Sequence, residues 1–147
     1  MCIVFLFIYG WGYLMGVVRG GAAYPHGFEA SLRDALVACS DVLWSEAYLE
    51  YLRSAFLQHE DGVVWRAILS GHGGVRELLR GFLEASARKG AIRESDFQFQ
   101  AEMLLALVQG IDFVEALLCR QAPQPHLIRA RIAAAAAGFC RQHALVA

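Results

Sequence analysis

Lysine is nearly absent from the 147-residue chain: of its thirteen basic residues, only Lys89 is not arginine. The arginines are scattered, and fourteen acidic residues leave a formal charge of -1, so no basic run is present to neutralise a nucleic-acid backbone. Direct nucleic-acid contact by this chain is therefore not expected. Proline is scarce, at three residues, and β-branched residues are few beside the many Ala, Leu and Arg, a balance of propensities that favours helix. Cys2, Cys39, Cys119 and Cys140 form no CxxC pair and no small-domain framework, which points to free thiols in a reducing, cytoplasmic setting. GxGxxG, GxxxxGK[ST], HExxH and GxSxG are all missing, so no enzyme and no cofactor is expected. Charge is thin as well: 18% of residues are charged and 57% hydrophobic, against roughly 25% and roughly 45–50% in ordinary domains. This composition excludes a disordered tail, suits one domain, and leaves apolar surface that must face a partner, a ligand or lipid.

The first eighteen residues, Met1 to Val18, carry no charge and as a helix would extend about 27 Å, marginal for a bilayer core of about 30 Å. They lack the basic flank of a cleaved secretory signal, and Gly10, Gly12 and Gly16 interrupt them. Three readings stay open: a membrane anchor, an apolar helix covered by the fold or a partner, or a stretch from a displaced start site. The breakers Arg19-Gly20-Gly21 and Tyr24-Pro25-His26-Gly27 uncouple this segment from the rest of the chain, placing a boundary between residues 1–27 and 28–147.

Beyond the boundary, apolar residues recur at three-four spacing from Phe28 to Trp44 and, after a Ser45 cap, from Glu46 to Gln58. A short apolar run, Val63 to Leu69, precedes a kink or loop expected at Gly71-His72-Gly73-Gly74, and the helical period resumes from Val75 to Lys89, with Gly90 suited to the left-handed C′ position. Ser95 and Gln98 match a capping box for a long helix through Cys119, so apolar on several sides that it must be covered twice. Pro125 opens a last helix through about His143, with small residues from Ala133 to Gly138 that admit a close neighbour. The fold class is all-α: an antiparallel bundle of five or six helices.

Few residues suggest chemistry. Cys140 and His143 stand three apart, as metal ligands can, but a packing thiol beside a terminal histidine explains them better, and no metal is expected. His72 reads as a solvated loop residue, and Glu102, Asp112 and Glu115 as one polar helix edge. Trp44, Tyr48, Tyr51, Phe56, Trp65 and Phe82 lie on successive helices, where such rings either line an apolar pocket or fill a core.

The run Lys89-Gly90-Ala91-Ile92-Arg93-Glu94-Ser95-Asp96, together with Ala101, Leu104, Leu105 and Gly110 beyond it, resembles the C-terminal domain of TetR-family transcriptional regulators from about Phe28 to Cys140. The resemblance implies an effector-sensing, homodimerising regulatory domain, with the DNA-binding part missing from this chain. It implies that 97–119 and 125–143 form the dimer pair, through Leu104, Leu107, Val108, Ile111, Ile132, Ala135 and Phe139. It further implies that Trp44, Tyr48, Tyr51, Trp65, Phe82 and Met103 enclose a pocket for a small hydrophobic effector. The alternative is a small adaptor anchored in a membrane through residues 1–18.

Overall fold

The structure, a computed structural model, describes residues 24, 26–57, 63–121 and 123–145, without the side chains of 55, 56 and 63–72. The apolar stretch 1–18 and its three readings lie outside the described residues. Among the described residues five helices follow one another: α1 (Phe28–Leu43), α2 (Glu46–Leu57), α3 (Val63–Arg88), α4 (Phe97–Cys119) and α5 (Pro125–His143). Among the described residues the only β pairing is an isolated bridge between Ile92 and Ala144, so the all-α expectation holds. None of these helices is long and apolar enough to cross a membrane.

Several of the helix ends have a local cause. Gly27, at φ 86°, takes a conformation that costs L side chains energy and turns the chain into α1, whose Leu32, Ala35, Leu36, Cys39 and Leu43 face inward at helical spacing. The Ser45 hydroxyl accepts from the Tyr48 amide at 3.2 Å and donates to the Val42 carbonyl at 2.8 Å, closing α1 and opening α2 with one side chain. At the end of α3, Gly90 (φ 73°) donates its amide to the Ala87 carbonyl, while the Ala91 amide reaches back to Ser86. These two bonds make the Schellman stop that Gly90 promised.

Two local expectations are corrected. α3 runs unbroken through Gly71–Gly74. Glycine disfavours a helix interior by only about 1 kcal/mol per residue, and Val75, Leu79, Phe82 and Leu83, all buried, hold the downstream turns in place. The α4 cap is Asp96 and not Ser95: the Asp96 carboxylate accepts from the Phe99 amide at 3.0 Å, whereas the Ser95 hydroxyl is buried without a partner among the described residues. Gln98 turns to Glu102 instead of reaching back.

α1 lies antiparallel to α5, because Phe28 meets Phe139 near one end and the Arg129 charge sits near Asp41 at the other. α5 also runs antiparallel to α4, with Arg131 bonded to Asp112. The α3–α4 connection and the chain after α5 are tied by Arg93 N–H to the His143 carbonyl at 2.9 Å and Leu145 N–H to the Ala91 carbonyl at 3.1 Å. The core fills the space between, from Leu32 and Leu36 on α1 through Leu79 and Leu83 on α3 to Ile132 and Ala136 on α5.

Candidate functional site

The aromatic residues separate into two groups. Phe82 is 1% exposed and sits where α1 begins, its ring stacked on Phe28 at 6.0 Å and edge-on to Tyr24 at 6.2 Å. Trp44 lies sixteen residues further along, at the α1–α2 corner, edge-on to Phe113 at 5.4 Å. A helix of that length separates its ends by about 24 Å, so Phe82 and Trp44 do not face one cavity. Tyr48 is buried near Trp44, its hydroxyl pushed above the ordinary tyrosine range first by burial and then by Tyr51, whose ring is 6.5 Å away and exposed. Met103 is exposed on the outside of α4, away from any interior wall. The Trp65 side chain and that of His72 lie outside the described residues. Of the six pocket residues expected, the α1–α2 corner thus gathers three, and there the half-buried Trp44 keeps its indole N–H buried with no acceptor among the described residues.

Beside that corner is a group that helix periodicity did not reveal. Arg53, 9% exposed, donates from Nη2 to the Ala116 carbonyl at 2.6 Å and from Nε to the Leu117 carbonyl at 3.1 Å. Its Nη1 donates to Glu46 at 3.0 Å and Glu50 at 2.6 Å. A guanidinium at the negative end of a helix satisfies carbonyls that have no intrahelical donor. Arg53 therefore caps α4 from α2, and the hydrogen bond from Arg53 holds the Glu50 carboxyl below its usual range. The cue lay in Glu46, Glu50 and Arg53 falling on one helical face at spacings of four and three.

The expected dimer residues also divide. Leu104, Val108, Ile132, Ala135 and Phe139 are buried inside this single chain, against α1 and its neighbours, so they are core and not free surface. Leu107 and Ile111 are different, at 53% and 68% exposed. They belong to a stripe along α4 formed by Phe99, Met103, Leu107, Ile111, Val114 and Leu118, all exposed. On α5, Leu127, Ala130, Ala134 and Arg141 lie outward at three-four spacing, with Gly138 half-buried among them. Large apolar side chains thus stand on one outer helix, while its neighbour presents the small Ala130 and Ala134 between Leu127 and Arg141.

Inside that stripe α4 bends. Gly110 has φ 58° and ψ -167°, a region open only to glycine, and a Cβ there would lie 2.7 Å from Arg131 Nη1. Arg131 reaches over from α5, donating from Nη1 to the Gln109 carbonyl at 3.1 Å and from Nη2 to Asp112 at 2.5 Å. Asp112 is thereby a structural ion pair, as is Glu102 with Arg76 at 3.0 Å, while Glu115 is exposed.

No group of three or more His, Cys, Asp or Glu side chains among the described residues is placed to hold a metal ion. Cys140 and His143 have packing roles: the thiol is pushed up to about 11 by burial, and the imidazole stacks on Phe139 at 4.5 Å. Burial pushes the Cys39 thiol up to about 12, and Cys119 is exposed.

Residues 30–144 match the family of AefR-like transcriptional repressor C-terminal domains. A solved structure of a TetR-family transcriptional regulator from Mesorhizobium loti MAFF303099 superposes with a TM-score of 0.77 over 98% of this chain and 70% of its own, at 14% identity, a likeness of fold. No curated protein matches the chain. With the match spanning most of its length and the helical order in agreement, the chain belongs to the AefR-like C-terminal domains of TetR-family transcriptional repressors.

Proposed function

We propose that this regulatory domain works as a homodimer that senses a small, largely apolar effector. The observation that carries the dimer is the outer face of α4, whose exposed apolar stripe runs roughly 28 Å from Phe99 to Leu118 at helical rise. A monomer rarely leaves a patch of this kind open to water. A second copy related by a two-fold axis meets it with the same face, so the large side chains of α4 and the small residues of α5 supply both halves of a self-complementary contact.

Leu107 lies in the middle of the stripe and is half-exposed in one chain, so Leu107→Glu leaves the fold intact while placing a charge in the interface. In sedimentation equilibrium the wild-type chain is expected at twice its 16.2 kDa and the variant at one chain's mass. A wild-type protein that stays monomeric at roughly 50 µM, when interfaces of standard size hold at micromolar concentrations or below, sinks the dimer.

The effector reading rests on the α1–α2 corner, where the Trp44 N–H is buried without an acceptor among the described residues, the indole meets Phe113, and Tyr48 and Tyr51 pair on the first turns of α2. A buried donor without an acceptor is costly, and a neutral apolar molecule carrying one acceptor relieves that cost. Compounds of this type are expected to raise the melting temperature and change tryptophan emission. Trp44→Phe, which keeps an aromatic ring of smaller size and removes the N–H, is expected to weaken such binding about five- to tenfold, the worth of roughly 1 kcal/mol. Equal affinity in wild type and Trp44→Phe places the effector elsewhere.

A further inference from the structure

We infer that Arg131 and Asp112 are positioning residues for the homodimer, latching the Gly110 bend so that the two halves of α4 present one continuous surface to a second copy. The inference rests on the dimer reading above and adds what sets the shape of that surface.

The burial pattern of α4 carries the argument. Before Gly110 the buried positions are Ala101, Leu104, Leu105 and Val108, the spacing of a single helical face. Continued without interruption, that face passes through Ile111, Asp112 and Glu115. It does not. Ile111 is 68% exposed, and the buried positions resume at Phe113, Ala116 and Leu117, one residue late. Each helical residue turns the chain by about 100°, so the single non-helical residue at Gly110 rephases the distal half by about that much. The rephasing takes Asp112 and Glu115 off the inward face and puts Phe113, which meets Trp44, onto it. It also leaves Ile111, Val114 and Leu118 outside, in line with Phe99, Met103 and Leu107.

A bend at glycine needs something to hold its angle, because glycine itself tolerates many. Arg131 supplies it by grasping both sides of Gly110 at once, the Gln109 carbonyl before the bend and the Asp112 carboxylate after it. The forked guanidinium fixes two directions where a point charge fixes one. Since Arg131 stands on α5, the same contact sets the angle of the distal half of α4 relative to the small residues Ala130 and Ala134. The occupant of this surface is a second copy of the chain, because the apolar stripe and the small-residue stripe that complement each other are both present on every copy.

The test uses the full chain with Arg131→Met and Asp112→Asn, singly and together, beside Arg129→Met, which removes a charge from α5 without touching the bend. Dimer dissociation constants come from sedimentation equilibrium and melting temperatures from circular dichroism. We expect both single variants to weaken the dimer at least tenfold, the double variant to be no weaker than the worse single one, and Arg129→Met to stay within twofold of wild type. Asp112→Asn retains a hydrogen-bond acceptor and keeps the comparison open if Arg131→Met folds poorly. The inference is overturned by single variants that dimerise within twofold of wild type, or by Arg129→Met weakening the dimer as much as they do. A wild-type dimer with either outcome leaves the dimer reading standing; a monomeric wild type removes both.

Discussion

Phe82→Ala is expected to cost about 3–5 kcal/mol of folding free energy, the range for truncating a fully buried aromatic residue. Phe82 is 1% exposed and in ring contact with both Tyr24 and Phe28, and Phe28 in turn packs beside Phe139. Removing the ring therefore empties a volume bounded by α1, α3 and α5. Those helices are held apart by their other core residues, so collapse into the space is incomplete and a cavity term adds to the lost transfer energy. For a domain of this size the melting temperature should fall by about 10–20 °C. Were Phe82 instead the wall of an open effector pocket, its truncation would enlarge that pocket and leave stability nearly unchanged. A shift of less than about 3 °C in a calorimetric scan favours the pocket and rejects the core assignment.

Replacing Arg53 by Met should be almost as damaging, at about 3 kcal/mol. Methionine fills much of the same space, so packing changes little, but the Ala116 and Leu117 carbonyls lose their donors in a place closed to bulk water. Each buried acceptor left unsatisfied costs about 1–3 kcal/mol. Glu46 and Glu50 contribute less, because both are exposed enough to be hydrated once the guanidinium is gone. Arg53→Lys is expected to recover less than half of the loss, since one ammonium cannot serve two carbonyls and two carboxylates in the geometry of the fork. Urea denaturation midpoints measure the series, and a midpoint for Arg53→Met within error of wild type would show that α4 is capped without it.

The amphipathic helices were legible wherever one face is polar and one apolar. α1 and α2 begin at Phe28 and Glu46 as their spacing indicates, and Gly90 and Pro125 punctuate α3 and α5 as their backbone chemistry requires. α4 was less legible because nearly every side of it is apolar. Leu104, Leu107, Val108 and Ile111 look alike to a periodicity argument, and beyond Gly110 the choice of Phe113 over Ile111 as core depends on a one-residue phase change that no propensity announces. The glycines at 71–74 looked like a break for the opposite reason: they favour one locally, and tertiary packing of the helix beyond them decides against it. At the candidate site the rings of Trp44 and Tyr48 were found by residue type, but their separation from Phe82 is a matter of helix length that only the assembled bundle displays. Arg53 was hidden because its acceptors are main-chain carbonyls more than sixty residues away.

The Tyr24 side chain gives the lead-in to α1 a mechanical footing. Ser86 donates its only proton to the Phe82 carbonyl, so in the 2.5 Å contact between the two hydroxyls Tyr24 must be the donor. The same ring lies edge-on to Phe28 and Phe82, with the Lys89 ammonium 5.4 Å from its centre. The backbone at Tyr24 is thus bolted to the last turn of α3 as well as to the helix it introduces. Through this one side chain, the entry to α1 and the exit of α3 are fastened to each other, so neither end is positioned independently of the other.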